Sequence, residues 1–290
     1  MSSAQKSSAQ KLRELLARPG CLTLPGVYDA LSAKLAERAG FEAAFMTGFG
    51  VSAARIGLPD TGLISYTEMV DQGRNMCAVT SIPIIGDGDT GFGNAINVKR
   101  TVEGFANAGM ACVMIEDQVA PKRCGHTRGK TVVSRDEAFQ RIQAAVDARN
   151  AGADILIMAR TDANWTDGIE EAIDRCKGFR QIGVDITFME APLDEAQMRR
   201  YCAEVDGPKM ANMVEQGDTP YLMADKLGEI GYKIAIYPIA MMLASIQAME
   251  NALANLKAGK APENQATFPH LRDIVGFPSY YEEEKKYAAE

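Results

Sequence analysis

The chain has 290 residues, of which 47% are hydrophobic and 24% charged, a composition that is typical of a folded globular protein and excludes a fibrous or largely disordered one. Its 31 Lys and Arg against 38 Asp and Glu give a net charge of −7 without a dense basic run, which argues against nucleic acid as a partner. No apolar run approaches the roughly 20 residues that cross a bilayer, and the amino terminus lacks a signal-peptide core, so we expect a cytoplasmic protein with no membrane partner.

Short apolar runs recur along the chain, and they alternate with segments of helical periodicity. Near-continuous apolar strands that alternate with helices are typical of a parallel sheet covered by helices. Eight such units predict an α/β fold, a single (β/α)8 TIM barrel domain over residues 1–290, with an open doubly wound sheet as the alternative. The predicted strands are 21–26, 41–48, 82–88, 110–117, 154–162, 185–192, 208–213 and 232–238.

Helical spacing of apolar residues predicts the helices between these strands. A last long helix, 241–257, carries an apolar stripe that we expect to pack on the sheet or on a partner subunit, and Gly259 is expected to end it. A short amino-terminal segment precedes the barrel, and a charged, aromatic tail is expected to form a further helix outside it. The other predicted helices are 98–108, 138–149 and 169–181.

Polar residues follow the apolar runs at the points where the predicted strands end. Because the carboxyl ends of parallel strands meet at one edge of the fold, these residues are expected to gather at one mouth. Asp87 and Asp89 lie in GDGDTG, which formally matches the dinucleotide motif GxGxxG, but two carboxylates facing a pyrophosphate count against that function. Together with Glu116 they offer hard oxygen ligands that suit magnesium, whereas helix capping by each carboxylate is the alternative.

Cys124 differs from the other five cysteines, because it lies among cations in a long segment, 117–132, that is typical of a lid. Positive charge favours a thiolate and makes Cys124 a candidate acid, base or nucleophile, while an incidental exposed thiol is the alternative. Gly125 would let the backbone bend beside it. The neighbouring cations are Lys122, Arg123, His126, Arg128 and Lys130.

Arg160 ends an otherwise apolar predicted strand, where burial without an anion would be costly. Its guanidinium suits a substrate carboxylate, and a structural ion pair with Glu190 or Asp162 is the alternative. An acid cluster that binds metal, an arginine and a mobile thiol together predict chemistry beside a carboxylate, with an oxyanion stabilised by the metal. A barrel that binds ligand without turnover remains the alternative to an enzyme.

These motifs, taken in chain order, resemble the isocitrate lyase/phosphoenolpyruvate mutase superfamily. The signature KRCGH at 122–126 resembles its carbon-carbon lyase branch, since the branches that act on phosphorus lack that cysteine. The resemblance covers nearly the whole barrel. The matching motifs are Thr47-Gly48, Leu58-Pro59-Asp60, GDGDTG at 86–91, Glu116-Asp117-Gln118, KRCGH, ARTD at 159–162 and NMVE at 212–215.

The resemblance implies a role for each matching residue. Asp87, Asp89 and Glu116 would form the shell of a Mg2+ ion, with Mn2+ as the alternative metal. Cys124 would protonate the departing carbanion. The other implied catalytic residues are Asp60, His126, Arg160 and Glu190, and the implied substrate contacts are Thr47, Gly48, Phe49, Asp60, Gly125, Arg160, Glu190, Asn212 and Pro238.

The resemblance also implies the reaction and the assembly. It implies cleavage of a substituted malate, similar to 2,3-dimethylmalate, into pyruvate or another 2-oxo acid and a carboxylic acid. A 2-methylisocitrate lyase is the first alternative, although Phe45 stands where such enzymes usually have a tyrosine; an oxaloacetate acetylhydrolase or a mutase-like enzyme follows. The expected assembly is a homotetramer, a pair of dimers that exchange their eighth helices.

Overall fold

The computed structural model describes residues 6–125 and 129–287, and it divides into two compact units, Met1–Ala240 and Met241–Glu290. Within the described residues, the first unit contains eight parallel strands. Their order around the sheet is β6-β5-β4-β3-β2-β1-β8-β7, and a parallel bridge between Thr187 and Lys209 joins β6 to β7. The strands are β1 Leu22–Val27, β2 Ala44–Met46, β3 Ile84–Asp87, β4 Cys112–Glu116, β5 Leu156–Thr161, β6 Ile186–Met189, β7 Met210–Asn212 and β8 Ile234–Tyr237.

This closure confirms the predicted (β/α)8 barrel and excludes the open doubly wound sheet. All eight predicted strands are present in the described residues, each shorter than or shifted from its apolar run. The helices of the first unit lie between them. They are α1 Ser8–Ala17, α2 Ala30–Arg38, α3 Gly48–Val51, a π-helix Ser52–Ile56, α4 Tyr66–Val79, α5 Ala95–Asn107, α6 Arg135–Asn150, α7 Ala163–Thr166, α8 Ile169–Ile182, α9 Glu195–Glu204 and α10 Ala224–Ile230.

Capping residues explain why two helices begin earlier than the apolar pattern predicts. The Asn94 side chain accepts hydrogen bonds from the backbone N–H groups of Ile96 and Asn97, so α5 begins at Ala95. The Ser134 hydroxyl accepts one from Glu137 N, and α6 begins at Arg135. A polar cap satisfies backbone donors that the helix itself leaves unpaired. The chemistry of the cap therefore fixes the first turn, which an apolar period does not reveal.

Helix α1 is an addition to the predicted barrel. It begins at a capping box formed by Ser7 and Gln10, and it buries Ala9, Leu12 and Leu15. These three side chains join inward-facing strand residues in one apolar group, which we call the barrel-core cluster. The cluster consists of Ala9, Leu12, Leu15, Leu24, Ala43, Phe45, Ile85, Ala111, Cys112, Met114, Leu156, Met158, Ile186, Phe188, Met210, Ile234 and Ile236.

The second unit contains α11 Ala240–Lys257, which begins at the last residue of the first unit, and then α12 Phe268–Val275 and α13 Phe277–Lys285. The predicted helix 241–257 is confirmed, and Gly259, with a φ of 70°, follows its end. Met242 is buried, whereas five other large apolar side chains of α11 are exposed in this single chain. They are Leu243, Ile246, Met249, Leu253 and Leu256. Across the described chain, the helices are all too short or too polar to cross a membrane.

Candidate active site

A cavity of about 200 Å³ lies at the carboxyl ends of the barrel strands, where the sequence predicts the mouth. Its volume is below the roughly 300–1,000 Å³ of pockets for drug-sized ligands, so it suits a small molecule. Most of the predicted substrate and catalytic residues line it. The lining consists of Phe45, Thr47, Phe49, Asp60, Asp87, Met114, Lys122, Cys124, Gly125, Arg160, Phe188, Glu190, Asn212, Val214, Ile236, Pro238 and Ile239.

Strand β3 and the segment after it position two of the predicted acidic residues. The Asp87 carboxylate accepts hydrogen bonds from Gly48 N at 3.2 Å and Asp89 N at 3.0 Å. Gly48 is required there, because a Cβ at this position would lie 2.6 Å from Asp87 Oδ2. Glu116 N donates to Asp89 O at 2.9 Å, which ties the end of β4 to the same turn. The turn therefore brings Asp89 and Glu116, behind the cavity wall, close to Asp87, which lines the cavity.

Lys122 lies among these acids, which its position in the sequence does not indicate. Its ammonium is 2.6 Å from Asp60 Oδ1 and 2.9 Å from Asp89 Oδ1. Burial alone would lower the pKa of Lys122, but the surrounding carboxylates outweigh burial and raise it well above its usual value. Burial raises the pKa of Asp89 to about 7, although Lys122 opposes that shift. The site is thus a buried cluster with more acids than cations.

The donor set fits a divalent cation that keeps part of its water shell. Glu116 Oε1 is buried and accepts no hydrogen bond from the described residues, and burial raises the pKa of this carboxyl well above its usual value. Asp87 faces the cavity, and Asp89 and Asp60 share one ammonium. A bound cation would offset the excess negative charge, and magnesium binds carboxylate oxygens in this way.

The predicted binding of magnesium by Asp87, Asp89 and Glu116, largely through water, stays a prediction. In residues 6–125 and 129–287, no three acidic, histidine or cysteine side chains converge at the spacing of a metal's direct ligands. Two of the acids are instead paired with cations of the protein. Asp89 forms an ion pair with Lys122, and Glu116 Oε2 lies 3.3 Å from Arg160 Nε. The fit is therefore to an ion bound partly through water rather than to a closed cage.

Arg160, at the end of β5, holds a network that reaches β6 and β7. Its guanidinium donates two hydrogen bonds to Asp162, at 2.8 and 3.0 Å, and lies 3.2 Å from Glu190 Oε2. Glu190 also accepts from Asn212 Nδ2 at 3.2 Å. The structural ion pairs foreseen as the alternative role of Arg160 are therefore present, and its side chain also lines the cavity. The same guanidinium can serve both purposes, because its several donors point in different directions.

Cys124 lines the cavity from the segment 117–132, whose ends are joined by an antiparallel bridge between Gln118 and Val132. Two of the cations expected around the thiol are paired with carboxylates. Lys122 ion-pairs with Asp60, and Lys130 ion-pairs with Asp162 at 3.3 Å, so both ammonium groups are buried and neutralised. The pairing partners lie far away in sequence, which is why local charge counting missed them.

The structure places the remaining predicted residues as follows. Gly48, Asp89 and Glu116 lie behind the cavity wall rather than on it. His126 lies outside the described residues. The apolar lining was missed, although Met114, Phe188 and Ile236 lie within predicted strands and Val214 and Ile239 directly follow predicted strands.

A family model described as phosphoenolpyruvate phosphomutase matches residues 12–257 of the chain. Among curated proteins, a 2,3-dimethylmalate lyase of Eubacterium barkeri is 42% identical over 97% of this chain and 99% of that protein. A 2-methylisocitrate lyase of Aeropyrum pernix is 40% identical over 93% of this chain and 87% of that protein.

Solved structures agree with these relatives. An oxaloacetate acetylhydrolase in complex with the inhibitor 3,3-difluorooxalacetate superimposes with a TM-score of 0.94 at 34% identity, covering 98% of each chain. A phosphonopyruvate hydrolase in complex with oxalate and Mg2+ superimposes with a TM-score of 0.85 at 25% identity, covering 97% of this chain and 99% of that one. The fold is therefore shared with enzymes whose structures were solved in complex with small carboxylates.

Proposed function

The chain belongs to the phosphoenolpyruvate mutase/isocitrate lyase superfamily, and from that premise we propose that it is a Mg2+-dependent carbon-carbon lyase acting on a substituted malate. The substrate would be a 2-hydroxy dicarboxylate similar to 2,3-dimethylmalate, and the products a 2-oxo acid such as pyruvate and a second carboxylic acid. One observation carries this proposal: Cys124, Arg160 and Asp87 line a single small cavity whose other lining is largely apolar.

The residues that would hold the metal are Asp87, Asp89 and Glu116, directly or through water. When bound, the cation would stabilise the negative charge that develops on the 2-oxygen. Thr47 lines the cavity next to Gly48, and the two would seat the carboxylate beside that oxygen. Mn2+ would serve the same donors, because it also prefers carboxylate oxygens.

Arg160 and Cys124 would act on the part of the substrate that leaves. As the bond between C2 and C3 breaks, the hydroxyl proton would pass to water and the bond's electron pair would move onto C3. The Cys124 thiol would give its proton to that carbon, which completes the second carboxylic acid. Arg160 would bind the leaving carboxylate, with Glu190 and Asn212 holding the guanidinium and the substrate in place.

Cleavage of 2-methylisocitrate is the second candidate, because a relative with that name is almost as similar. The described lining of the cavity favours the dicarboxylate. Its cations are Lys122 and Arg160, and each is already paired with carboxylates of the protein. A third substrate carboxylate would instead meet apolar side chains such as Val214 and Ile239, where an unpaired charge is costly.

The test is a product assay with the purified chain, Mg2+ and a panel of acids. The panel contains malate, 2-methylmalate, 2,3-dimethylmalate, 2-methylisocitrate, isocitrate and oxaloacetate, and release of a 2-oxo acid or oxalate is measured. We expect the highest kcat/KM with 2,3-dimethylmalate and loss of activity in a strong chelator. A preference for 2-methylisocitrate would favour the second candidate, and full activity in chelator would contradict the metal assignment.

We also propose the assembly that the family resemblance implies, a homotetramer built from dimers that exchange α11. The exposed apolar side chains of α11 support it, since Leu253 and Leu256 are 65% and 59% exposed in this single chain. Apolar stripes of this size are normally covered in a folded protein. Light scattering that gives a monomer mass at micromolar concentration would contradict the proposal.

A further inference from the structure

Arg123 and Gly125, the residues on either side of Cys124, are both held through their backbone by side chains of the same segment. On the amino-terminal side, Gln118 Oε1 accepts from Arg123 N at 2.9 Å, and Gln118 Nε2 donates to Arg123 O at 2.9 Å. On the carboxyl-terminal side, Lys130 Nζ donates to Gly125 O. Both side chains are buried, at 1% exposure for Gln118 and 5% for Lys130. Buried polar groups with matched partners hold a fixed geometry.

Lys130 connects this segment to the substrate side of the cavity. Its ammonium lies 3.3 Å from Asp162 Oδ1, and Asp162 in turn holds Arg160 by two hydrogen bonds. One buried cation therefore links the backbone next to the thiol with the carboxylate that orients the arginine. Gly125 fits tightly here, because a Cβ on it would lie 2.6 Å from Arg160 Nη2.

We propose that Gln118 and Lys130 are positioning residues that clamp the two neighbours of Cys124 and so fix the thiol over the substrate. The proposal rests on the role given to Cys124 above, and it adds two residues that do not line the cavity. Displacing a proton donor by about 1 Å can cost about 10²-fold in rate, so a clamp of this kind controls kcat. Substrate affinity would depend mainly on Arg160 and on the acids proposed to hold the metal. Substitution of Gln118 or Lys130 removes none of these residues.

The accessibility of the Cys124 thiol can be measured without an activity assay. Cys124 is partly exposed, whereas Cys112 and Cys176 are buried. Burial raises the pKa of Cys77 to about 11 and those of Cys21 and Cys202 to about 12, which makes these thiols slow to react. Alkylation by iodoacetamide, followed by peptide mass spectrometry, therefore reports the accessibility of Cys124. The single tryptophan, Trp165, gives a second signal, because Lys130 Nζ lies 5.3 Å from its ring centroid.

The variants are Lys130→Met and Gln118→Met, with Lys177→Met and Gln143→Met as matched controls on exposed helix surfaces. The Gln118 variant removes no charge, and Asp162 keeps both bonds from Arg160 in the Lys130 variant, so both chains should fold. We expect alkylation of Cys124 to rise at least threefold and kcat for 2,3-dimethylmalate to fall about tenfold or more, with KM changed less than threefold. Trp165 emission should change in Lys130→Met.

Unchanged alkylation of Cys124 in both variants would overturn the clamp, even if activity fell. Faster alkylation of Cys124 with full activity would support the clamp but contradict the catalytic role proposed for Cys124. Faster alkylation together with the loss of kcat supports both. The two controls should match the parent chain in alkylation, emission and kcat, because their side chains lie away from the segment 117–132.

Discussion

The two ends of the barrel are built from the same strands and are opposite in chemistry. At the amino-terminal end, α1 and its carboxyl-terminal cap are held by contacts to residues that precede the strands: Lys11 donates to Ser81 O, and Lys233 donates to Arg18 O. Beneath these contacts α1 buries only apolar side chains. At the carboxyl-terminal end, the cavity and its walls hold buried acids and cations, among them Asp89 and Lys122.

The apolar end is built to stabilise the fold, and the charged end is the one to which we assign the chemistry. Burying apolar area contributes roughly 25 cal/mol per Å², whereas burying charges costs free energy unless every partner is present. Burial raises the pKa of Asp89, because a charged carboxylate is costly in the walls of this cavity. Substitutions at the two ends should therefore separate stability from activity.

The largest effect is expected for Asp87→Asn at the mouth. Asparagine keeps the shape but removes one charge from the proposed metal site, so kcat/KM should fall about 10³-fold, equivalent to roughly 4 kcal/mol. The melting temperature of the metal-free chain should not fall, because the acid cluster loses a repelling charge. Steady-state kinetics and calorimetry measure both quantities. A clear drop in melting temperature with kinetics intact would reverse the contrast between the two ends.

The next effect is expected for Leu12→Ala at the opposite end. Leu12 is fully buried in the barrel-core cluster, so the truncation should lower the free energy of unfolding by about 2–5 kcal/mol. The kcat at a temperature where the variant is folded should stay within about twofold of the parent. Urea unfolding measures the first quantity, and Leu31→Ala on the exposed face of α2 is the control. A loss of kcat in the folded variant would show that the two ends are coupled.

The sequence predicts the charged end better than the apolar one. The strand ends, the acids and Cys124 follow from abrupt changes between apolar and polar residues, and the family motifs place them in order. Helix α1 was missed, although Ser7 and Gln10 and the spacing of Leu12 and Leu15 carry its signal. The pairing of Lys122 with Asp60 and of Lys130 with Asp162 was missed for another reason. Those ion pairs form only when the barrel closes, so no local sequence pattern predicts them.

A smaller effect is expected for Cys124→Ser. The hydroxyl is too weak an acid to replace the thiol, so kcat should fall about 10²-fold, roughly 2.7 kcal/mol, while KM and the melting temperature stay nearly constant. Single-turnover kinetics with 2,3-dimethylmalate separates the chemical step from binding. Cys77→Ser in α4, away from the cavity, is the control and should keep full activity. A Cys124 variant impaired only in KM would make the thiol a binding group.

The smallest effect tests the place where the two ends meet. Ile236 in β8 belongs to the barrel-core cluster together with Leu12, and it also lines the cavity. Ile236→Val should therefore lower the free energy of unfolding by about 0.5–1.5 kcal/mol, because a buried methylene is lost.

The same substitution enlarges the apolar wall of the cavity by one methylene. A longer alkyl group on the substrate should then be accepted more readily, so the kcat/KM ratio of 2-ethylmalate to 2-methylmalate should rise by about tenfold at most. Ile157→Val in β5 is the matched control, since Ile157 is equally buried but does not line the cavity. It should lose similar stability with an unchanged ratio. An equal change of the ratio in both variants would mean that selectivity follows the general packing of the barrel rather than the cavity wall.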